Sequence, residues 1–370
     1  MVFFIMMLNE AVSAQKNVRI EVSNPSSLSF KEEVIAISWA KVLKLMPSID
    51  TANFVVYDES GKIEIPHQLE YRGGKQVQNL LLQVSVPQKS KLILLLKKGK
   101  PQTCTTKTYA RYVPERKDDF AWENDKIAFR MYGKALEKTR ENAHGIDVWT
   151  KSTTRMVLNE RYKSNKYHVD NGDGLDYYHV GNTLGAGNLA PYLADSVWYL
   201  GNYSSYKILD NGPLRSTFQL FYDEAAANGI KIKNSKMITL NAGSQMNRIE
   251  NIYSSESSID LPLAIGIITR GEPRKNTLQD KDGIMAYWEP EHGKDGIIGV
   301  GAIIAKKPQR FVDTNKQLLM ITSTKPNEKL VYYTGAAWNK AAEITNSQQW
   351  FEYLSNFRKK LTQPLIVKIQ

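Results

Sequence analysis

Residues 215–253 read RSTFQLFYDEAAANGIKIKNSKMITLNAGSQMNRIENIY and decide the fold class. They contain three runs with the composition and alternation of β-strands, each followed by a short polar stretch. The runs are Arg215 to Tyr222, Ile230 to Leu240 and Arg248 to Tyr253. Further runs of the same kind are Lys126 to Tyr132, Leu261 to Thr269 and Gly296 to Ala305. This succession of strands predicts an all-β chain.

Helical patterning is scarce by comparison. Only Gln348 to Lys360 places its large apolar side chains at helical spacing, and we interpret it as a helix packed on a sheet. Lys31 to Leu45 fits either a helix or a strand, and Pro47 ends it in both cases.

The N-terminal part of the chain has its own strand pattern. Val18 to Val22, Asn53 to Tyr57 and Lys91 to Lys98 are strand candidates, and turn residues recur about every ten positions, as in a sandwich. The charged stretch Tyr109 to Asp119 separates this part from the rest. We therefore predict a small N-terminal β-sandwich over residues 15–108. A large β-(super)sandwich of the galactose-mutarotase type should follow over residues 109–370.

The net charge and the cysteine content limit the kinds of ligand and metal site that this protein can have. The 370 residues have a formal net charge of +11, which favours polyanions. No nucleic-acid-binding motif is present, so we expect no nucleic acid and interpret the charge as a solvated surface or as a match to an anionic polysaccharide. The single cysteine, Cys104, excludes an intramolecular disulfide and a cysteine zinc cluster. The pattern makes no prediction of an oligomeric state.

The first residues, MVFFIMMLNEAVSAQK, resemble a signal peptide. Val2 to Leu8 is a short apolar run, and small residues precede a plausible cleavage site after Ala14. Glu10 and the lack of a basic start are atypical, so residues 1–14 could be a truncated signal. No segment is long enough to span a bilayer. We expect a periplasmic or secreted protein.

The chemistry is expected in residues 167–187, YHVDNGDGLDYYHVGNTLGAG. Phosphate loops, dinucleotide fingerprints and hydrolase or zinc-protease motifs are absent from the chain. This segment instead combines His, Asp, Tyr and Gly at high density, which is typical of a shaped functional loop.

Three interpretations of this segment remain open. In the first, His168 is an acid or base and a tyrosine completes the proton transfers. In the second, Asp170 and Asp173 contribute to a Ca²⁺ or other divalent metal site, although no spacing matches an EF-hand. In the third, Asp and Gly only form turns. We favour the catalytic interpretation, with no cofactor, and place the metal last.

Other candidates lie outside this segment. His144, Trp149 and Lys151 belong to one cluster of residues, and Trp149 is either a platform for a sugar ring or a buried anchor. Arg130, Arg215 and Arg248 lie in strand-like runs. Each needs an anionic partner, which can be a substrate carboxylate or, more commonly, a structural Asp or Glu.

The run from Tyr112 to Leu136, YVPERKDDFAWENDKIAFRMYGKAL, resembles the hallmark of a bacterial family catalogued as a domain of unknown function. Genes of that family cluster with polysaccharide-degradation systems. The resemblance extends from about Ile65 to the end of the chain. A protein similar to this family is an oligosaccharide dehydratase in ulvan breakdown, so the resemblance implies carbon–oxygen lyase chemistry on acidic, uronic-acid-containing oligosaccharides. Asn171, Asp173 and Lys134 depart from the family pattern, which normally has His, Glu and Pro there.

Elimination from a uronic acid requires neutralisation of the carboxylate, a base for the adjacent proton and an acid for the leaving oxygen. We predict His168 and Tyr178 as the base and acid, with Arg215 or Arg130 near the carboxylate. The predicted catalytic residues are His168, Tyr178, His144 and Arg215, and the predicted substrate-binding residues are Arg130, Trp149, Lys151, Asp176 and Arg248. A glycoside hydrolase, which needs two carboxyl groups, and a non-catalytic glycan-binding protein are the alternatives.

Overall fold

A computed structural model describes residues 17–256, 258–271 and 275–370, so the predicted signal peptide lies outside the described residues. The helices are α1 (Trp39–Leu45), α2 (Leu158–Ser164) and α3 (Ser347–Thr362). The strands of the first hundred residues are β1 (Val18–Ser23), β2 (Phe30–Ser38), β3 (Phe54–Asp58), β4 (His67–Glu70), β5 (Asn79–Val86) and β6 (Lys91–Lys98). The next strands are β7 (Thr108–Val113), β8 (Asp119–Asn124), β9 (Ala128–Met131), β10 (Asp147–Trp149), β11 (Ala186–Leu193), β12 (Ser196–Val197), β13 (Ser205–Asn211), β14 (Arg215–Phe221), β15 (Ala225–Ala227), β16 (Ile230–Asn241) and β17 (Met246–Ser254). The last strands are β18 (Leu261–Ile268), β19 (Thr277–Asp280), β20 (Ile284–Trp288), β21 (Ile298–Ile304), β22 (Arg310–Asp313), β23 (Gln317–Thr324), β24 (Lys329–Trp338) and β25 (Ile366–Ile369).

The N-terminal unit is a small sandwich of two sheets. One sheet has the order β25-β1-β6-β3 and the other β2-β5-β4. Side chains of β1, including Ile20, meet side chains of β5, including Leu82, in one buried cluster, because alternate residues of each strand face inward. The C-terminal strand β25 pairs with β1, so chain from outside residues 15–108 completes this sandwich. The boundary between residues 108 and 109 stays a prediction.

The larger unit packs one wide sheet against two smaller ones. The wide sheet has the order β13-β14-β16-β17-β24-β21-β20-β19, with β15 paired beside it on β16. The smaller sheets are β12-β11-β18-β23-β22 and β10-β9-β8-β7. Phe218 and Tyr332 of the wide sheet share a core with Leu263 and Trp122 of the smaller ones. The all-β prediction is confirmed.

Because strand side chains alternate, the wide sheet has a second face that points away from this core. Helix α3 covers part of that face with Trp350 and Leu354. Gly301 permits the contact: a Cβ atom there would lie 2.5 Å from a methyl group of Leu354. No helix among the described residues has the length and apolarity to cross a membrane.

Candidate active site

The outer face of the β7–β10 sheet carries a buried guanidinium group, that of Arg130 on β9. Phe129 and Met131, its neighbours in sequence, face the main core, so Arg130 points to the opposite face. Asp147 lies directly opposite Arg130 on β10. Helix α2 and the segment that follows it cover this face, with Tyr162 and Tyr167 packed on Trp149.

Three carboxyl groups surround this one guanidinium. Nη2 of Arg130 lies 2.6 Å from Asp147 and 3.2 Å from Asp176, and Nη1 lies 3.6 Å from Asp119. Only 6% of the Arg130 side chain is exposed, and the three carboxyl groups are almost entirely buried. We call these four residues the Arg130 cluster. If all three carboxyl groups were ionised, it would carry two uncompensated negative charges away from water.

The cluster avoids that cost by retaining protons. Burial raises the pKa of Asp119 to about 7, against the opposing effect of Arg130 and Arg116. Burial and then the charge of Asp147 raise the pKa of Asp176 well above its usual value. Asp147 also has a raised pKa because it is buried, but it makes the shortest contact to Arg130 and accepts hydrogen bonds from the Val148 amide and the Trp149 indole. We therefore assign the negative charge to Asp147 and a proton to Asp176.

The region also contains buried polar atoms that have no hydrogen-bond partner among the described residues. They are Oδ1 of Asp119, Nε and Nη1 of Arg130, Nη1 of Arg116 and the hydroxyl of Tyr178. Buried polar groups in folded proteins are nearly always paired, and the exceptions concentrate at functional sites. This concentration, together with the raised carboxyl pKa values, makes the Arg130 cluster the candidate site.

His168 connects the buried cluster with the protein surface. Its side chain is 65% exposed, and its Nδ1 lies 2.8 Å from the carbonyl oxygen of Asp176 and 3.7 Å from the carboxyl group of the same residue. Because a carbonyl oxygen only accepts, Nδ1 must donate, and the neutral ring then has its lone pair on Nε2. A solvent-facing Nε2 of this tautomer is suited to act as a base.

Two partly buried side chains, Tyr132 beside Arg130 and Arg116 beside Tyr167, were not among the predicted site residues. The hydroxyl of Tyr132 accepts from Nη2 of Arg130 at 3.4 Å, and burial raises the pKa of Tyr132. Arg116 donates from Nε to the hydroxyl of Tyr167 at 3.2 Å and from Nη2 to Glu141 at 2.9 Å. Both residues lie within the run from Tyr112 to Leu136, and the family resemblance of that run is the feature of the sequence that pointed to them.

The sequence of this chain matches a known protein family. Residues 22–367 match the family described as Domain of unknown function (DUF4861). The chain belongs to the DUF4861 family. It is 34% identical over 285 residues to Uncharacterized protein P7 of Formosa agariphila, an alignment that covers 72% of this chain and 71% of that protein.

Two solved structures share the fold of this DUF4861 chain. One is described as a protein in the Glycosyl Hydrolase Family 38 from Enterococcus faecalis, with a TM-score of 0.54, 11% identity and 96% of this chain covered. The other is an alpha-mannosidase from Enterococcus faecalis V583, with a TM-score of 0.53, 9% identity and the same coverage. The match spans 47% and 46% of those two chains, so this protein corresponds to about half of their length.

In this DUF4861 chain, the predicted site residues fall into different places. His168, Asp176, Arg130 and Trp149 come together in or around the Arg130 cluster. Tyr178 is adjacent in sequence but almost completely buried, with the guanidinium of Arg270 4.8 Å from its ring centroid. It has no surface to offer a substrate, so Tyr132 is the better placed phenol.

Trp149 and Lys151 are structural in this conformation. The Trp149 ring is fully buried and stacks on Tyr167, which corresponds to the anchor rather than to the sugar platform. The Lys151 ammonium is fully buried and lies within 2.7 Å of Glu123 and of two backbone carbonyl oxygens. Three acceptors use its three hydrogens, so Lys151 has structural partners, and its predicted role in substrate binding stays a prediction.

His144 lies elsewhere. Its half-buried ring stacks on Tyr199 at 5.0 Å between centroids, and burial lowers its pKa. Its backbone carbonyl accepts from Asn188. These contacts are not with members of the Arg130 cluster, so His144 keeps no geometric link to the predicted base.

The aspartates considered as metal ligands make turns and ion pairs. Oδ1 of Asp170 accepts from the amides of Gly172 and Gly174, and Asp173 contacts Arg161 at 3.3 Å. Gly174 has a φ of +104°, and a Cβ atom there would lie 2.2 Å from the carbonyl oxygen of Thr150, so only glycine fits. Over residues 17–256, 258–271 and 275–370, no group of three or more His, Cys, Asp or Glu is arranged to hold a metal ion.

Arg215 and Arg248 lie on the second face of the wide sheet. Arg215 contacts Glu70 at 2.8 Å, and Arg248 contacts Glu250. Both therefore have structural carboxylate partners, which was the commoner of the two outcomes expected for them. They line a cleft whose lining includes no residue of the Arg130 cluster.

Proposed function

We propose that this chain is a carbon–oxygen lyase that removes water across C4–C5 of a terminal uronic acid in an acidic oligosaccharide. The observation that carries the proposal is an exposed histidine, His168, whose Nδ1 donates to a backbone carbonyl oxygen beside the buried Arg130 cluster. The shared fold with carbohydrate-active proteins accords with a sugar substrate, but the fold by itself does not define an activity.

His168 would act as the base. Its Nε2 would take the proton on C5, the electron pair of that C–H bond would form the C4–C5 double bond, and the C4–O bond would break. The leaving hydroxyl would receive a proton and depart as water. The C5 proton then leaves His168 by exchange, so the reaction consumes no net proton.

Tyr132 would supply the proton to the leaving oxygen. A phenol is protonated at neutral pH, as a general acid must be, and the charge of Arg130 opposes the rise that burial causes in the pKa of Tyr132. The phenolate that forms lies beside the Arg130 guanidinium, which stabilises negative charge. Contacts of 3.4, 3.2 and 3.7 Å link Tyr132, Arg130, Asp176 and His168 in that order, so the acid and the base are electrostatically connected.

Arg116 would neutralise the uronate carboxylate. Its side chain is 26% exposed and donates from Nη2 to Glu141 at 2.9 Å. Its buried Nη1 has no hydrogen-bond partner among the described residues, and Tyr167 links it to His168. Arg130 is less suited to this role, because its charge is already exceeded by the surrounding carboxyl groups.

A glycoside hydrolase is the second candidate. Asp119 has a pKa of about 7, which is the property that a carboxylic general acid requires. Hydrolysis adds water and gives no conjugated product, so the products distinguish the two candidates. Export to the periplasm or medium would bring either enzyme to polysaccharide fragments, and it stays a prediction.

The test is incubation with a panel of uronic-acid-terminated oligosaccharides, following ultraviolet absorbance and product mass together. Dehydration predicts rising absorbance and the loss of one water. His168→Ala should lower kcat/KM by roughly 10²- to 10⁴-fold. His179→Ala is the matched control, since it removes an exposed imidazole from the same segment and should leave turnover unchanged.

Chain cleavage without an absorbance change would replace the lyase with the hydrolase. Rising absorbance with chain cleavage would keep the elimination and make the leaving group a sugar. Binding by calorimetry with no product from any substrate would overturn both enzymes in favour of a glycan-binding protein.

A further inference from the structure

A cleft of about 660 Å³ lies between the N-terminal sandwich and the second face of the wide sheet. Its floor is formed by β14, β16, β17 and β24. One wall is the start of β2, with Glu33 and Val34, and another is the last part of α3, with Phe357 and Lys360. This volume is in the range of clefts that bind small ligands.

The floor presents a row of polar side chains at strand spacing. Thr217 lies opposite Thr239, Thr239 opposite Arg248, and Arg248 opposite Tyr333. The row therefore presents two hydroxyls, which are hydrogen-bonded to each other at 3.4 Å, then a guanidinium and a phenol on neighbouring strands. Such a row offers several hydrogen-bonding groups to a polar ligand.

Five basic side chains and five glutamates line the cleft, and Lys329 beside it supplies an additional cation. Glu70 is shared by Arg215 at 2.8 Å and by Arg72 at 3.5 Å. Glu250 is likewise shared by Arg248 and by Lys329, the latter at 2.6 Å. In each group one carboxylate stands between two cations, so each group keeps one positive charge.

The remaining acids of the cleft do not cancel this excess. Glu343 pairs with Lys126 at 2.8 Å, and Glu32 lies 3.9 Å from Lys107 and from Lys126. Burial raises the pKa of Glu33, against the opposing charges of Lys360 and Arg215. These cations, Lys107 and Lys126, come from outside the lining of the cleft.

Aromatic rings complete the lining. Tyr333 and Phe357 contact each other edge to face, with centroids 5.3 Å apart, next to the charged row. Arg248 has 37% of its side chain exposed, so its guanidinium can reach a ligand. Apolar rings beside hydrogen-bonding and cationic groups are suited to one sugar ring that bears an anion.

We propose that this cleft is a second carbohydrate site that binds an anionic sugar unit, carboxylated or sulfated, through Arg248 and Arg215. The choice of a sugar as ligand rests on the proposed function, whereas the preference for an anion rests on the charges in and around the cleft. The site is separate from His168 and performs no chemistry. It would hold a distant unit of an oligosaccharide or a second chain.

The experiment is isothermal titration calorimetry on the full chain carrying His168→Ala, to suppress turnover. The probes are a uronic-acid oligosaccharide, the same oligosaccharide with its carboxyl groups reduced, and a sulfated neutral oligosaccharide. We expect Arg248→Gln to weaken binding of an anionic probe roughly 10- to 100-fold, as for the loss of a charged hydrogen bond. Arg310→Gln, which removes an exposed arginine paired with Asp195 on another sheet, is the control and should change nothing.

Binding of the uronate alone would identify a carboxylate site, and binding of both anionic probes a general anion site. Equal binding of the reduced oligosaccharide, or unchanged binding in Arg248→Gln with a native circular dichroism spectrum, would overturn the proposal. Thr239→Val, a milder change in the same row, tests the cleft again if Arg248→Gln does not fold. This experiment measures binding and not turnover. A failure of the elimination assay and a lack of binding in the cleft are therefore distinguishable results.

Discussion

The Arg130 cluster and the cleft that contains Arg248 have opposite charge stoichiometry. Around Arg130, three carboxyl groups share one guanidinium, whereas in the cleft each of two carboxylates is shared by two cations. The first arrangement is buried and must keep protons to limit its negative charge. The second is open to solvent and can gain an anion from outside. The excess of carboxyl groups around Arg130 therefore suits proton transfer, and the excess of cations at the cleft suits recognition of an anion.

The largest expected effect comes from removing the ionised member of the buried cluster. Asp147→Ala leaves Arg130 with carboxyl groups that hold protons, so the free energy of unfolding should fall by about 3–5 kcal/mol. Urea unfolding followed by tryptophan fluorescence measures this. Asp176→Asn is the matched control: it replaces a carboxyl group that is already neutral and should cost no more than about 1.5 kcal/mol. Equal losses in both variants would contradict the assignment of the charge to Asp147.

The next effect separates two tyrosines. Tyr132→Phe removes the proposed acid and should lower kcat at least about 100-fold with little change in KM. Tyr178→Phe removes a buried hydroxyl that has no partner among the described residues, so turnover should persist. Steady-state kinetics on the unsaturated product checks both. A larger loss in Tyr178→Phe would restore the role that the sequence predicted for it.

A smaller effect concerns pH. The pKa of Asp119 is about 7 in the folded chain and near 4 when unfolded, so the folded state binds the additional proton between these values. Its contribution to stability is therefore present at low pH and is lost as pH rises towards 7, by about 2 kcal/mol between pH 5 and pH 7. Asp119→Asn should remove this slope, which thermal unfolding over a pH series would detect. An unchanged slope would show that Asp119 is ionised throughout.

The smallest effect comes from the cleft. Glu250→Gln releases Arg248 and Lys329 from their shared carboxylate, so affinity for an anionic oligosaccharide should rise about two- to fivefold. Higher salt should reduce the gain, because the cleft is partly exposed. Calorimetry at two ionic strengths measures both trends, and weaker binding in Glu250→Gln would contradict the cation excess.

The strands could be predicted because the alternation of apolar and polar residues is visible within a short run of sequence. The run predicted at Ile230 to Leu240 is β16, Ile230–Asn241, and the predicted helix at Gln348 to Lys360 is Ser347–Thr362. Lys31 to Leu45 was ambiguous because it contains both elements, the strand Phe30–Ser38 and then the helix Trp39–Leu45.

The candidate site was predictable only in part. The composition of residues 167–187 predicts His168, Asp176 and Tyr178 as site residues, but it does not predict which of these side chains are exposed. Tyr132 lies outside that segment and was not among the predicted residues. Asp119 and Asp147 are distant in sequence and meet Arg130 only through the pairing of β8, β9 and β10. Lys151 has the composition of a binding residue, and only its burial against Glu123 shows a structural role.

The most direct test of the central claim is carbon-13 NMR of aspartate carboxyl groups over a pH series, with Asp119→Asn, Asp147→Asn and Asp176→Asn to assign the signals. We predict that Asp176 keeps its proton at neutral pH, that Asp119 titrates near pH 7, and that Asp147 stays ionised in that range. Finding all three carboxyl groups ionised at pH 6 would contradict the account, because the cluster would then carry two uncompensated negative charges away from water.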